Sequence, residues 1–286
     1  MTMGDPRAVG AQIRMKLPSL TPLQGKVAAD ILSRKDSDQT TPLREIAKKS
    51  AVSEAMVVKV AKELGFDGFR DFRQGLIAYY QSDTAALHEE ISETDTAGEI
   101  VQKVFRTAMQ ALEETIAILD LGALDRAAGY LADAQQRDFY GMSGSGQIAR
   151  EVSHKFLRIG IRISVFDDAH MMMKSAALLG PKDVAIAFSH SGATVAVLDV
   201  AEMARRCGAR TIAVANYPES PLARMVDVVL CSTAQNSPLI GENATARIAQ
   251  LNLLDALFVA PAQRDRKTAD ANLTRTMQAV QSKRRM

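Results

Sequence analysis

Apolar positions along this chain change their spacing twice, and each change marks a different kind of element. Between Leu20 and Phe72 they recur in short bursts at helical intervals, which predicts short amphipathic helices. From Ile100 the helical interval runs unbroken through Val104, Ala108, Leu112, Ile116 and Leu119, which predicts one long helix whose stripe packs on its own sheet or on a partner's. From Phe139 onward, continuous apolar runs alternate with helical stretches: Phe139–Gly141, Ile161–Phe166, Val184–Phe188, Thr211–Ala215 and Val226–Cys231. Strands buried on both faces read this way, so the carboxyl-terminal part is expected to be a three-layer α/β sandwich around a parallel sheet.

The amino-terminal helices carry their own start and stop signals. Residues 1–19 show no period and are expected to lead in loosely, with Ile13, Met15 and Leu17 able to lay a short segment on the domain. Thr21-Pro22-Leu23-Gln24 offers a capping hydroxyl, a proline at the first helical position and a glutamine that completes a capping box. An apolar face of Leu23, Val27, Ile31 and Leu32 follows. Thr41 and Pro42 repeat the signal before a face of Leu43, Ile46 and Ala47, and that helix ends near Ser50. Only Ala51 and Val52 then precede Ser53, a favourable N-cap for a third helix that runs to Leu64 and stops at Gly65.

Two short helices joined by a tight turn form a helix-turn-helix pattern, in which the second helix enters a major groove of double-stranded DNA. Val57, Val60, Ala61 and Leu64 then face inward with Val52. Ser53, Glu54, Ala55, Val58, Lys59 and Lys62 face outward. Glu54, Ala55 and Lys59 are placed for base edges, and Ser53 with the helix amino terminus for phosphate. A solvated helix also presents a lysine-bearing face, so spacing alone leaves both readings open.

Charge adds modestly to this picture. Residues 1–80 hold 13 Lys/Arg against 9 Asp/Glu, on a chain whose totals are 35 and 33, so the basic excess sits in the amino-terminal third. That balance suits contact with nucleic acid. Residues 81–99 carry Asp83, Glu89, Glu90, Glu93, Asp95 and Glu99 without any Lys or Arg, a linker composition that would avoid DNA. The expected division is therefore a DNA-binding domain over 1–80, a linker over 81–99 and a second domain over 100–286, with Thr96-Ala97-Gly98-Glu99 as the capping box of the long helix. No apolar run reaches membrane length and MTMGDPRAVG has no hydrophobic signal core, which predicts a cytoplasmic protein with no membrane partner. Cys207 and Cys231 make neither a disulfide framework nor a metal spacing, so reduced thiols are expected.

Candidate chemistry lies where strands give way to helices. Val184–Phe188 stops abruptly at Ser189-His190-Ser191-Gly192-Ala193-Thr194, and Ala196, Val197, Val200 and Ala201 then take up helical spacing. Such turns at strand carboxyl ends hold ligands in open α/β sheets, and amides at a helix start favour an anion. One hydroxyl is enough to cap a helix; three point to a bound phosphate. Tyr140-Gly141-Met142-Ser143-Gly144-Ser145-Gly146 makes a second Gly/Ser turn. It has Ser143 where a dinucleotide fingerprint has its middle glycine. Asp167 and Asp168 are the nearest candidates for a ribose contact, so a nicotinamide site is poorly supported, and no P-loop or metal spacing is present. No cofactor is expected.

These residues carry a family resemblance. Ala51 to Arg73, AVSEAMVVKVAKELGFDGFRDFR, resembles the amino-terminal helix-turn-helix domain of the RpiR family of bacterial transcriptional regulators, with Phe66, Phe69 and Phe72 read as core. Ser143–Gly146, Asp168-Ala169-His170, Ser189–Thr194 and Ser220-Pro221-Leu222 resemble, in the same order, the sugar isomerase (SIS) domain, a flavodoxin-like sandwich. QRDFYGMSGSG, HKFLRIGIR, DAHMMM and PLIGENATARIAQLNLLDALFV are similar to the subgroup that regulates ribose and allose metabolism. The resemblance implies that hydroxyl loops hold the phosphate of a phosphosugar, through Ser145 in the first loop and Ser189, Ser191 and Thr194 in the second, with Ser143 departing from the usual glycine. His190 and His170 are candidates for sugar hydroxyls.

Two functions follow as expectations. A regulator, most simply a repressor of a carbohydrate catabolism operon, would change its operator affinity when a phosphosugar binds. It would act as a homodimer or homotetramer, because one helix-turn-helix reads one half-site. The alternative is a phosphosugar aldose-ketose isomerase with an accessory helical domain. Glu242 is its best candidate base, since it lies where related isomerases carry a catalytic glutamate; in a regulator it would line the ligand pocket. An isomerase has no use for residues 20–73, so the regulator is the expected function.

Overall fold

The computed structural model describes residues 5–32, 42–87, 91–234, 244–281 and 283. Packing divides the chain into two units, Met1–Ile118 with Thr233–Ala249, and Leu119–Ser232 with Gln250–Met286. The first holds helices α1 (Pro6–Lys16), α2 (Pro22–Leu32), α3 (Leu43–Lys49), α4 (Glu54–Glu63), α5 (Phe69–Tyr80), α6 (Asp83–Ala86) and α7 (Ala97–Ile118). Ile13, Val27, Ile31, Ile46, Val57, Val60, Leu64 and Phe72 form its apolar core, and the Phe66 and Phe72 rings meet at 5.0 Å between centroids.

Three expectations need correction here. Residues 6–16 are not a loose lead but α1, opened by Asp5, whose carboxylate accepts the Arg7 backbone N–H at 3.0 Å, and anchored by fully buried Ala11 and Ile13. The capping box of α2 is present, with Gln24 Oε1 accepting the Thr21 N–H and hydroxyl at 2.9 Å each. Leu23, however, is 49% exposed, because Gln24, Val27, Ala28 and Ile31 make the inward stripe and Leu23 lies about 100° away from it. At α3, Pro42 is the N-cap and not the first helical residue, while Thr41 lies outside the described residues.

Within the stretch read as linker, Thr84 and Ala85 of α6 are buried, and Asp95 pairs with Lys103 at 2.8 Å. Among the described residues of this stretch, burial of apolar and hydroxyl groups at Thr84 and Ala85 outweighs acidic repulsion. Thr96 and Glu99 form the expected box, the Glu99 carboxylate accepting the Thr96 N–H at 2.8 Å and hydroxyl at 2.7 Å. The 22-residue helix α7 that follows packs with the helical unit, which runs through Ile118. Its buried face is largely polar: Thr107, Gln110, Ala111, Glu114 and Thr115. Glu114 accepts the Tyr79 hydroxyl at 2.8 Å and Gln110 Nε2 at 3.1 Å, and it forms an ion pair with Arg14. Three helices thus meet at one carboxylate.

The second unit contains α8 (Leu121–Asp133), β1 (Arg137–Gly141), α9 (Ser143–Arg158), β2 (Ser164–Phe166), α10 (Ala169–Ala176), β3 (Val184–Phe188), α11 (Val195–Arg206), β4 (Arg210–Ala215) and β5 (Val228–Cys231). The strands are parallel in the order β2-β1-β3-β4-β5. Large side chains, Phe139, Ile186, Phe188, Ile212 and Val214, face α9 on one side. Tyr140 and the small residues Ala185, Ala187 and Ala213 face the other, where α10 and α11 pack. This alternation gives the expected three layers. β2 begins at Ser164, since Ile161 and Ile163 pack on the core without joining the ladder. β5 begins at Val228, after Asp227 has fastened its carboxylate to the Thr211 N–H at 2.7 Å and hydroxyl at 2.9 Å.

The chain closes with α12 (Ala244–Arg264) and α13 (Arg266–Gln281). The tail beyond Pro261 continues as helix, tied down where Asn272 Nδ2 donates to the Ile159 carbonyl at 3.0 Å and Ala269 is buried. Among the described residues no helix is long and apolar enough to cross a membrane.

Candidate functional site

In the order β2-β1-β3-β4-β5 the chain reverses direction between β1 and β3, and such a switch point opens a crevice at the strand carboxyl ends. Gly141 pairs with Phe188, so the loops that begin at Met142 and Ser189 leave adjacent strands at one level. The first loop feeds α9, on the large-residue face, and the second feeds α11, on the small-residue face. Both Gly/Ser turns read from the sequence therefore border the same crevice.

In the second loop, Ser189 is buried, its hydroxyl 3.2 Å from that of Thr194 and accepting the Gly192 N–H at 3.1 Å. Ser191 and Thr194 are exposed, and the Ser191 hydroxyl accepts the Ala193 N–H at 3.2 Å. Thr194 is the N-cap of α11, yet its side chain caps nothing. The start of α11 thus has no side-chain cap from its N-cap residue, which separates this turn from ordinary capping. Gly192 has φ +62° and lies where a Cβ would stand 2.1 Å from Ser220 Oγ. Its carbonyl accepts the Leu222 N–H at 2.9 Å, so Ser220-Pro221-Leu222 holds the loop from behind.

The first loop is shaped by a close approach. A Cβ on Gly146 would meet the Gly141 carbonyl oxygen at 2.6 Å, so only glycine lets α9 start directly over β1. Ser143 is exposed at φ +51°, the left-handed region in which a glycine carries no penalty, and Ser145 is half-buried. Asp167 is engaged by Arg150 at 2.6 Å, and that guanidinium holds its carboxyl below the usual range. A carboxylate so occupied is a poor ribose acceptor. Asp168 caps α10, accepting the Met171 N–H at 2.9 Å.

The remaining candidates separate. His190 lies within the turn, half-buried, with its ring edge-on to Tyr217 at 5.9 Å. His170 is exposed in the first turn of α10, beyond β2, and among the described residues no hydrogen bond joins it to either loop. Glu242 lies outside the described residues. The sequence reading missed a buried polar cluster at the ends of the next two strands, where Asn216 Oδ1 accepts Gln250 Nε2 at 2.9 Å and Ser232 Oγ at 3.3 Å. Its signal was present: Asn216 and Ser232 are the first polar residues past the apolar runs of β4 and β5.

The second candidate surface is α4. Ser53 caps it, its hydroxyl accepting the Met56 N–H at 3.2 Å. Val57, Val60, Ala61 and Leu64 are fully buried, while Ser53, Glu54, Ala55, Lys59 and Lys62 are exposed and Val58 is half-exposed. The turn from α3 closes with the Val52 N–H donating to the Ala47 carbonyl at 3.0 Å around Ala51 in the left-handed region, φ +54°. Two helices held this way present the outer face of α4 as a unit.

Comparison with known proteins bears on both surfaces. Residues 8–83 match the helix-turn-helix domain of the rpiR family and residues 130–260 match the SIS domain. The HTH-type transcriptional regulator RpiR of Escherichia coli K12 is 39% identical over 264 residues, 92% of this chain and 89% of that one. In fold, the chain resembles Vibrio vulnificus NanR, solved with ManNAc-6P, at a TM-score of 0.61 and 22% identity, covering 97% of this chain and all of that one. The sugar isomerase domain of an RpiR transcription factor from Sphaerobacter thermophilus matches at a TM-score of 0.56 and 22% identity, covering 62% of this chain and 97% of that one. A reading helix at one end, a sugar isomerase sandwich at the other, and close likeness along nearly the whole length to a named regulator place this chain in the RpiR family of HTH-type transcriptional regulators.

Proposed function

We propose that the chain binds operator DNA through the outer face of α4 and that a phosphosugar, seated at the switch point between β1 and β3, sets its affinity for that DNA. One observation carries the ligand assignment: the hydroxyls of Ser189, Ser191 and Thr194 gather at the start of α11, and Thr194 leaves that start uncapped. Ser145 completes the phosphate cradle from the first loop, Ser143 borders it, and His190 meets the sugar hydroxyls. Glu242 and His170 are assigned to the sugar end of the pocket on the resemblance alone. NanR, similar in fold, holds an amino-sugar phosphate, which supports the ligand class. The protein works as a cytoplasmic homo-oligomer, each reading head on one half-site.

Thermal denaturation against a panel of phosphosugars and their unphosphorylated parents tests the assignment, because a ligand that binds only the folded state raises the melting temperature. A rise confined to phosphorylated sugars is expected, and Ser189→Ala with Thr194→Ala is expected to remove it while operator binding stays intact. A normal shift in that double variant would place the phosphate elsewhere. Turnover of any phosphosugar, followed by NMR, would instead favour isomerase chemistry.

On the DNA side, Lys59→Ala is expected to weaken specific operator binding about 10-fold or more, as loss of a contact to a base edge does, and to leave sugar binding unchanged. Unchanged operator affinity in a gel-shift titration would remove Lys59 from the interface.

A further inference from the structure

Asn216 joins the hydroxyl turn to the places where the chain changes units. Its backbone N–H donates to the His190 carbonyl inside the turn at 3.1 Å, and its Oδ1 accepts Ser232 Oγ and Gln250 Nε2. Ser232 is the last residue of the sheet unit before the chain enters the helical unit at Thr233, and Gln250 is the first after the chain returns at Ala249. Both donors to Asn216 Oδ1 therefore stand at crossings. Just past the first crossing, the Thr233 N–H donates to Thr115 Oγ1 at 3.1 Å and the Thr115 hydroxyl donates to the Thr233 carbonyl at 3.3 Å. Thr115 belongs to α7 and follows Glu114. Asn216, Ser232, Gln250, Thr233 and Thr115 are all buried.

We infer that Asn216 and the Thr115–Thr233 pair carry phosphosugar occupancy of the hydroxyl turn to α7 and so to the reading head. They are positioning residues, acting through the turn and the helix and not on sugar or DNA. The inference rests on the regulator reading and names the route by which that regulation travels. Each link is a hydrogen bond within one unit or a bond of the chain itself. A phosphate held by the turn fixes the His190 carbonyl, which meets the Asn216 N–H; Asn216 Oδ1 holds Ser232; the next residue, Thr233, is bonded twice to Thr115. Beside Thr115, Glu114 accepts the Tyr79 hydroxyl and pairs with Arg14. Apolar residues of the same shape would fill these positions at little or no loss of stability, so packing alone does not call for a buried polar chain here. Such a network has few arrangements that satisfy every member, and a shift at one is answered at the next.

Thr115→Val, which removes the hydroxyl and keeps the shape, tests it in the full chain. Operator affinity is measured by anisotropy of labelled DNA, without sugar and at saturation with each of a panel of pentose and hexose phosphates. In the wild type at least one of these is expected to change that affinity roughly 5- to 150-fold. The variant is expected to bind operator alone, and phosphosugar alone, within about twofold of the wild type. The factor linking the two is expected to fall to about 2 or less, and Thr115→Ser, which keeps the hydroxyl, to restore it. A pair with a structural role only would lower the melting temperature of Thr115→Val and leave the factor unchanged; that result would overturn the inference. If Thr115→Val fails to fold, hydrogen exchange of the wild type decides. Saturating phosphosugar is expected to alter exchange in the peptides that carry the Asn216 and Thr233 amides, and unaltered exchange at Thr233 would overturn the inference. A wild type whose operator affinity responds to none of the phosphosugars would instead strike the regulator reading.

Discussion

Gly192→Ala is expected to abolish the phosphosugar response and to lower the melting temperature of the sheet unit by several degrees. Two effects combine. At φ +62° a side chain adopts a backbone conformation that costs on the order of 1 kcal/mol or more. The new Cβ would also stand 2.1 Å from Ser220 Oγ and 2.4 Å from Ser220 Cβ, and neither can yield freely because Ser220 is buried and its hydroxyl accepts the Ala223 N–H at 3.3 Å. The loop must shift outward, carrying Ser191 and Thr194 with it. Charged hydrogen bonds contribute about 1.5–3 kcal/mol each, so misplacing two phosphate donors weakens phosphosugar binding on the order of 100-fold or more. Calorimetric titration of the variant beside the wild type checks this, and an unchanged affinity would show that the loop does not hold the ligand. Operator binding, which we assign to α4, is expected to persist.

The second large effect is expected at Glu114. This side chain is 1% exposed and accepts from Tyr79 and Gln110 while pairing with Arg14, itself 14% exposed. Glu114→Ala leaves a nearly buried guanidinium without its carboxylate, a loss of about 3–5 kcal/mol. Since folded domains are marginally stable, urea denaturation should show the helical unit unfolding at far lower denaturant. The double variant Arg14→Met with Glu114→Leu removes both charges and is expected to recover most of that loss, because a buried ion pair contributes little beyond an apolar pair of similar volume. If the single variant were as stable as the wild type, the three-helix junction would not be what fixes α7 to the reading head.

Much of this architecture was legible in the sequence because buried strands and capped helices carry unambiguous signals. The five strands appear as apolar runs, and Thr21, Ser53 and Thr96 cap the helices they were expected to cap. What escaped has physical reasons. Helix α1 faces inward partly through Gly10 and Ala11, whose small side chains give no periodic stripe. Helix α7 has a clear stripe, but periodicity tells which side is apolar and not which side is covered; here hydrogen bonding around Glu114 outweighs the usual burial of apolar groups. The hydroxyl-rich turn stands out in the sequence because three hydroxyls at a strand end exceed what capping requires. The support behind it, Ser220 and Leu222 against Gly192, could be recognised only as a motif, since contact between residues about 30 apart in sequence is a matter of tertiary packing.

Linkage gives the regulatory account its quantitative form. A phosphosugar alters DNA affinity only by the factor with which it distinguishes the two states of the protein, and couplings of this kind are about 1–3 kcal/mol. The most direct measurement is fluorescence anisotropy of labelled operator DNA titrated with the full chain, with and without each phosphosugar at saturation. The account predicts that at least one phosphosugar changes the dissociation constant by roughly 5- to 150-fold, that its unphosphorylated parent does not, and that operator DNA changes sugar affinity by the same factor. An operator affinity identical in the presence of every phosphosugar that binds the sheet unit would contradict it.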